Sequence, residues 1–229
     1  MGLNLKVKMS NYPNTKIHNT LPKILKHRAD TIPNTVALRD KDLGIWNEIT
    51  WKQYNDNVSY LALGLAKRGF KAGDVLGLIG DNKPSWIFFE LAAQAAGGMS
   101  LGVYRDTLDE EVGYLMDAAK VSFVYAEDQE QVDKILTIKR PKNNPINIFY
   151  DDSRGLKELN DPNITDMLDL INEGKALTSK DPEKYNKMID KVSGEQNAIL
   201  CTTSGTTSNP KLAMLPGGKF VDHVIRYLN

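Results

Sequence analysis

At 229 residues, with 41% hydrophobic and 25% charged side chains, the chain is long enough to bury a sizeable core and fits one large or two small domains. Lys plus Arg and Asp plus Glu balance at 29 each, which excludes the net basic footprint that grips nucleic acid or an anionic membrane. The lone cysteine, Cys201, cannot form an internal disulfide and favours a reducing compartment, so the cytoplasm is the expected location.

Residues 1–20 read as an N-terminal extension. Met1 to His18 carries Lys6, Lys8, Asn4 and Asn11 and lacks the apolar core of a signal peptide. Gly2 follows Met1, but Lys6 stands where a myristoylation motif requires Ser or Thr. The longest apolar stretch, Trp86 to Val103, is interrupted by Glu90, Gln94 and Gly97-Gly98, so it reads as a helix, a turn and a buried strand and not as a membrane span.

Thr50-Trp51-Lys52-Gln53 has capping-box spacing, and Tyr54, Val58, Leu61 and Leu65 follow at helical intervals until Gly69. Val75 to Ile79, bounded by Gly73-Asp74 and Gly80-Asp81-Asn82, predicts a strand covered on both faces. Asn82 is placed to cap a second helix, with Pro84 in its first turn, running to about Ala96 before a strand over Met99 to Val103. Thr107 with Glu110 repeats the capping-box spacing before Val112 to Ala119. Ser122 to Ala126 is strand-like, Asp128 with Gln131 opens a helix towards Lys139, and Ile146 to Tyr150 adds a strand. The alternation predicts an α/β layered parallel-sheet domain with helices on both faces. Residues 151–193 turn charged, with scattered Asn, Pro and Gly and short helical patterns such as Ile164 to Ile171, and read as a surface excursion. Asn197 to Cys201 returns to a buried strand, and Lys219 to Asn229 looks like a helix.

The stretch that follows this strand carries the chemistry: Thr202-Thr203-Ser204-Gly205-Thr206-Thr207-Ser208-Asn209-Pro210-Lys211. Hydroxyls flank a glycine that permits positive φ, an apolar strand leads in, and a lysine closes the run. Hydroxyl and backbone N–H donors with a compact positive charge suit an anion, each charge-assisted bond contributing about 1.5–3 kcal/mol. By composition alone the cluster also fits an ordinary turn. Spacing excludes three sharper motifs. Pro210 occupies the place of the glycine before a Walker lysine. Thr202 and Thr206 stand where a nucleophile elbow around Ser204 needs glycines, and Gly77 and Gly80 do not form a dinucleotide fingerprint.

Thr203 to Lys211 resembles the signature loop of the adenylate-forming superfamily, written Thr-Ser-Gly-Thr-Thr-Gly-x-Pro-Lys-Gly. Gly80-Asp81-Asn82-Lys83-Pro84-Ser85-Trp86, the helix ending Ala95-Ala96-Gly97-Gly98, and Ala126 to Val132 are similar to long-chain fatty acyl-CoA synthetases. The resemblance covers about Leu21 to Leu215 and makes residues 21–229 a partial AMP-binding domain, the N-terminal part of the synthetase large domain. Ser208 and Leu212 replace the usual glycines, and Gly217 stands where many members carry His. Losing two glycines stiffens such a loop.

The resemblance implies that a carboxylate attacks the α-phosphate of Mg²⁺-ATP, releasing pyrophosphate and leaving an acyl-adenylate, from which the CoA thiol displaces AMP. ATP, Mg²⁺, CoA and a fatty acid are the implied partners. Thr203, Ser204, Gly205, Thr206, Thr207, Ser208 and Lys211 are the implied phosphate-binding residues, acting by positioning and electrostatics. The family's adenine-binding segment, Mg²⁺-binding Glu, ribose-binding Asp and C-terminal catalytic Lys lie downstream of this loop, so the segment is expected not to activate an acid alone, with no catalytic residue or metal ligand of its own. The other readings are an adenylating enzyme for a different acid or acceptor, and a non-catalytic nucleotide- or protein-binding remnant. Elsewhere the signals are weaker. Cys201 reads as a small buried residue, His18, His27 and His223 are too scattered for a metal site, and Trp86 reads as core or channel lining. Asp81 and Asn82 sit at a strand's carboxyl end but are explained by a turn and a helix cap.

Overall fold

The computed structural model describes residues 14–140, 144–203 and 210–227. After α1 (Leu21–Thr31), a hairpin of β1 (Val36–Asp42) and β2 (Ile45–Thr50) forms a separate two-stranded antiparallel sheet. Its turn places Leu43 at φ 47° and Gly44 at φ 85°, the paired left-handed conformation of a tight hairpin, which Asn-Gly adopts more readily than Leu-Gly. Helix α2 (Trp51–Lys67) starts at the Thr50 capping box: the Thr50 hydroxyl accepts from Gln53 N–H at 3.2 Å and the Gln53 side chain accepts from Thr50 N–H at 2.9 Å.

The main unit is a seven-stranded sheet ordered β7-β6-β5-β3-β4-β8-β9. Its strands are β3 (Val75–Gly80), β4 (Met99–Tyr104), β5 (Phe123–Ala126), β6 (Asn147–Tyr150), β7 (Ile164–Asp166), β8 (Asn197–Thr203) and β9 (Lys211–Pro216). All neighbours pair in parallel except β8 with β9, which run antiparallel. Between the strands run α3 (Pro84–Ala95), α4 (Asp109–Ala118), α5 (Gln129–Leu136), α6 (Met167–Lys180) and α7 (Lys184–Asp190), and α8 (Gly217–Tyr227) follows β9.

Strand alternation feeds two cores. Leu76, Leu78, Phe123, Tyr125 and Phe149 face α1, α2, α3, α6 and α7, where Phe89 of α3 stacks on Tyr125 at 4.8 Å and on Phe149 at 5.9 Å. Ile79, Leu101, Val103, Val124 and Ile148 face the other side, against Val112, Leu115 and Met116 of α4 and Val132 and Ile135 of α5. Helices therefore cover both faces, as the apolar runs of the strands require.

Three local expectations need correction. The residue capping α3 is Lys83, not Asn82, and it makes no side-chain cap; Pro84 in the first turn sets the start instead. Leu108, not Thr107, precedes α4, whose first turn is supported by the acidic side chains Asp109, Glu110 and Glu111 against the helix dipole. Residues 151–193 are not a surface excursion: β7 extends the sheet, and Leu170, Ile171, Tyr185 and Ile189 of α6 and α7 are buried in the first core. Their charges lie on outer faces, as where Glu173 of α6 pairs with Lys67 at 3.1 Å and Arg68 at 2.6 Å beside α2.

Helices α2 and α6 cross where each contributes a buried glycine. A Cβ on Gly174 would lie 1.9 Å from the Tyr60 carbonyl oxygen, and one on Gly64 would lie 2.6 Å from the Leu170 carbonyl oxygen. Backbone meets backbone there, and no side chain fits between.

Candidate active-site crevice and phosphate loop

Strand order reverses around β3. The chain leaves β3 through α3 on one face to reach β4, then leaves β4 through α4 on the opposite face to reach β5 on the far side of β3. Such a switch opens a crevice at the carboxyl ends of the strands, where ligands bind in open α/β sheets. A cavity of about 620 Å³ occupies this place, lined by Asp81 and Asn82 after β3, Trp86 and Glu90 of α3, Ser100 to Arg105 along and beyond β4 except Leu101, and Ile199 to Thr202 of β8. Asp81 and Asn82, read as a turn and a cap, therefore line the crevice as well, and Trp86 belongs to its wall.

The hydroxyl-rich run connects β8 to β9. Thr203 and Lys211 are register partners at the open end of this ladder, and the Thr203 hydroxyl donates to the Lys211 carbonyl at 3.4 Å. Both side chains are exposed. Ser204, Gly205, Thr206, Thr207 and Ser208 lie outside the described residues. Tyr114 of α4 donates its hydroxyl to the Pro210 carbonyl at 3.3 Å, tying the start of β9 to the helix that flanks the second core. Leu212 packs partly buried against that core, so the residue in the place of the usual glycine gains an apolar contact. Gly217 opens α8, where a Cβ would sit 3.3 Å from Ala198.

At the carboxyl end of β3 a charged framework sets the crevice rim. Glu127, 4% exposed, accepts the Asp81 backbone N–H at 2.5 Å and pairs with Lys83 at 2.6 Å. Gly80, at φ 152°, admits this carboxylate: a Cβ there would meet Glu127 Cβ at 2.6 Å. Arg105, at the end of β4, donates to Asp81 at 2.5 Å and also approaches Asp128 and Glu130 at 3.6 and 3.7 Å. The rim thus presents fixed charges of both signs, with Lys83 and Arg105 each held by carboxylates.

Glu90 is the residue that sequence reasoning passed over, since it stood only as an interruption of an apolar stretch. It projects from α3 into the crevice, where its carboxylate accepts from Ser100 Oγ at 3.4 Å and from Gln94 Nε2 at 3.5 Å. Burial pushes its carboxyl above the usual range, opposed by the Ser100 hydrogen bond. A folded-state value raised above the unfolded one gives stability that is present at low pH and lost as pH climbs through the folded value. Glu90→Gln is therefore expected to raise the Tm relative to the parent chain at pH 8 and to lose that advantage towards pH 4, measured by thermal melts across that range; the signal that finds such a residue is a lone acid inside an apolar helical face.

Cys201 is half-buried in the crevice wall. His18 and His27, distant in sequence, bring their rings to 4.5 Å, yet among the described residues no three His, Cys, Asp or Glu side chains gather as a metal-holding group.

Residues 25–227 match the AMP-binding enzyme family. Two curated relatives are the long-chain-fatty-acid–CoA ligases ACSBG2 and ACSBG1 of Rattus norvegicus, each 28% identical, over 196 and 203 residues. These alignments cover 86% and 88% of this chain but 29% and 27% of the relatives, so the chain spans less than a third of their length. Among solved structures, the luciferase-like enzyme of the mealworm Zophobas morio superposes with a TM-score of 0.74 at 16% identity, covering 94% of this chain and 47% of that one. The anthranilate CoA ligase AuaEII, solved with anthranoyl-AMP, superposes with a TM-score of 0.71 at 18% identity, covering 92% and 36%. With nearly its whole length matched by that family, the chain belongs to the AMP-binding enzymes and corresponds to the N-terminal part of an adenylate-forming protein.

Proposed function

We propose that this chain supplies the phosphate-binding part of an ATP-dependent acyl-CoA ligase acting on long-chain fatty acids. The carboxylate oxygen attacks the α-phosphorus, the α–β bridging P–O bond breaks, and pyrophosphate leaves; the CoA thiol then attacks the acyl carbon and AMP leaves. The observation that supports the reading is the register of Thr203 opposite Lys211, which brings the two ends of the hydroxyl-rich run together at one edge of the sheet. In this reading Thr203, Ser204, Gly205, Thr206, Thr207, Ser208 and Lys211 hold the β- and γ-phosphates of Mg²⁺-ATP and neutralise the charge that grows on the leaving pyrophosphate.

The acid and the acceptor rest on the curated relatives, both named as long-chain-fatty-acid–CoA ligases. A cytoplasmic setting is in keeping with the single cysteine, Cys201, and among the described residues no helix is long and apolar enough to cross a membrane. The test is acid-dependent exchange of pyrophosphate into ATP by the protein that carries this chain, run with fatty acids of graded length, with aromatic acids and with amino acids. Exchange is expected with long-chain acids, together with CoA-dependent AMP formation. Exchange only with amino or aromatic acids would move the protein to another branch of the family, and none with any acid would remove the activity.

A further inference from the structure

Lys211 opens β9, and the peptide groups on both sides of its Cα are held by side-chain hydroxyls. The preceding peptide ends in the Pro210 carbonyl, which accepts from the Tyr114 hydroxyl of α4 at 3.3 Å. The following peptide begins with the Lys211 carbonyl, which accepts from the Thr203 hydroxyl at 3.4 Å. Pro210 has a ring-fixed φ, so ψ is the torsion left to set, and the carbonyl that Tyr114 engages is the group this torsion turns.

The next residue along supplies a further hold. Leu212 packs against the core that Val112, Leu115 and Met116 of α4 form with Leu200 of β8. Leu212 pairs with Thr202 and Lys211 with Thr203, so strand alternation turns the leucine to the sheet face covered by α4 and the lysine stem to the opposite face. On that opposite face stands α3, whose Trp86 and Glu90 wall the crevice. Helix α4 therefore grips β9 from behind at Pro210 and Leu212, the two neighbours of Lys211 in sequence. Tyr114 itself is 37% exposed, and the buried Val112, Leu115 and Met116 are what seat α4 on the sheet.

We propose that Tyr114 is a positioning residue: by holding the Pro210 carbonyl it fixes the backbone from which Lys211 directs its ammonium to the phosphates of ATP. The inference rests on the phosphate role given to Lys211 above and adds a residue that acts through that lysine and not on substrate. A lysine side chain has four rotatable methylenes, and a mobile base would add its own freedom to theirs. A fixed base leaves less entropy to lose when the ammonium engages a phosphate. Leu212 stands where the adenylate-forming signature has glycine, the residue that would leave this stretch most mobile. Here a core leucine and a tyrosine hydroxyl supply a fixed foot for the loop instead.

The test is acid-dependent exchange of pyrophosphate into ATP by the protein that carries this chain, comparing Tyr114→Phe, Lys211→Ala and the double variant. Tyr114→Phe keeps the ring and loses only the donor. It is expected to raise KM for ATP about fivefold, the effect of one neutral hydrogen bond. KM for the acid should stay unchanged and the Tm should remain within about 1 °C. On the residual exchange of Lys211→Ala, adding Tyr114→Phe is expected to change nothing further, because both residues act through one contact. An unchanged KM for ATP in Tyr114→Phe, or a rise that persists when Lys211 is absent, would overturn the inference and leave the phosphate role of Lys211 standing. A higher KM for the acid together with a lower Tm would make Tyr114 a structural residue and overturn it as well. Exchange undiminished in Lys211→Ala would remove the phosphate reading and this inference with it.

Discussion

Lys211→Ala, made in the protein that carries this chain, is expected to lower acid-dependent ATP–pyrophosphate exchange about 10²-fold or more. The same change should leave the Tm within about 1 °C. The two halves follow from one observation. Lys211 is exposed, and among the described residues its ammonium makes no ion pair, so its loss removes no described contact that the fold uses. Its backbone pairing with Thr203 survives the substitution, because the ladder engages main-chain groups only. What disappears is a compact charge at the open end of the β8–β9 ladder, where in the proposed reading pyrophosphate would gather negative charge as it departs. Lys211→Arg keeps the charge but widens the head group, and should recover part of the exchange. Equal exchange in Lys211→Ala and the parent protein would dismiss the phosphate role; a large fall in Tm would make the residue structural.

Gly174→Ala should lower stability by about 3 kcal/mol, the upper part of the overpacking range, and the Tm by roughly 10 °C in a chain of this size. The added methyl would lie 1.9 Å from the Tyr60 carbonyl oxygen, a main-chain atom that cannot rotate aside. Helix α6 must therefore retreat from α2, opening the core around Leu61, Leu65, Leu170 and Ile171. A control sits in α4: a methyl on Gly113 would find Ile138 at 3.9 Å, ordinary contact distance, so Gly113→Ala should stabilise by about 0.5–1 kcal/mol through helix propensity. Thermal melts of the two variants decide between steric and propensity effects, since propensity alone predicts the same sign for both.

The contrast between these two glycines also marks what a sequence conveys. Helix α2 was legible because a local cap and a long apolar stripe coincide, and β3, β4, β5, β6 and β8 because strands covered on both faces are apolar throughout. The hairpin β1–β2 escaped notice because β1 runs through Arg39, Asp40, Lys41 and Asp42 in succession and neither strand buries a residue fully. Helix α6 was blurred for a related reason: it buries only Leu170, Ile171 and Gly174, and close backbone approach needs no large apolar side chain. Antiparallel β9 escaped notice because it follows directly on the hydroxyl-rich loop and buries no residue fully.

Of the candidate site, the loop was legible as a contiguous motif, and the structure places its two ends, Thr203 and Lys211. The crevice was not, because α3, β4 and β8 meet only through the strand order. Glu90 and Arg105 show the limit clearly. Each acquires meaning from partners such as Ser100 for Glu90 and Asp81 for Arg105, brought close by the sheet and not by neighbours in sequence.

The antiparallel pairing of β8 with β9 gives the loop between them an unusual tolerance and an unusual weakness. Because Thr203 and Lys211 face each other across one ladder, the width of the loop's mouth is fixed by strand spacing and not by residues 204–210. An added residue within that span lengthens the arch at little entropic cost and leaves both gateposts where they stand. An added residue inside β9, between Leu212 and Leu215, would instead force a one-step slip in the pairing and turn Lys211 and Leu212 to exchange faces, sending the ammonium inward and the leucine to water. Two insertions a few positions apart, alike in chemistry, would thus have opposite consequences for the direction in which the Lys211 charge points.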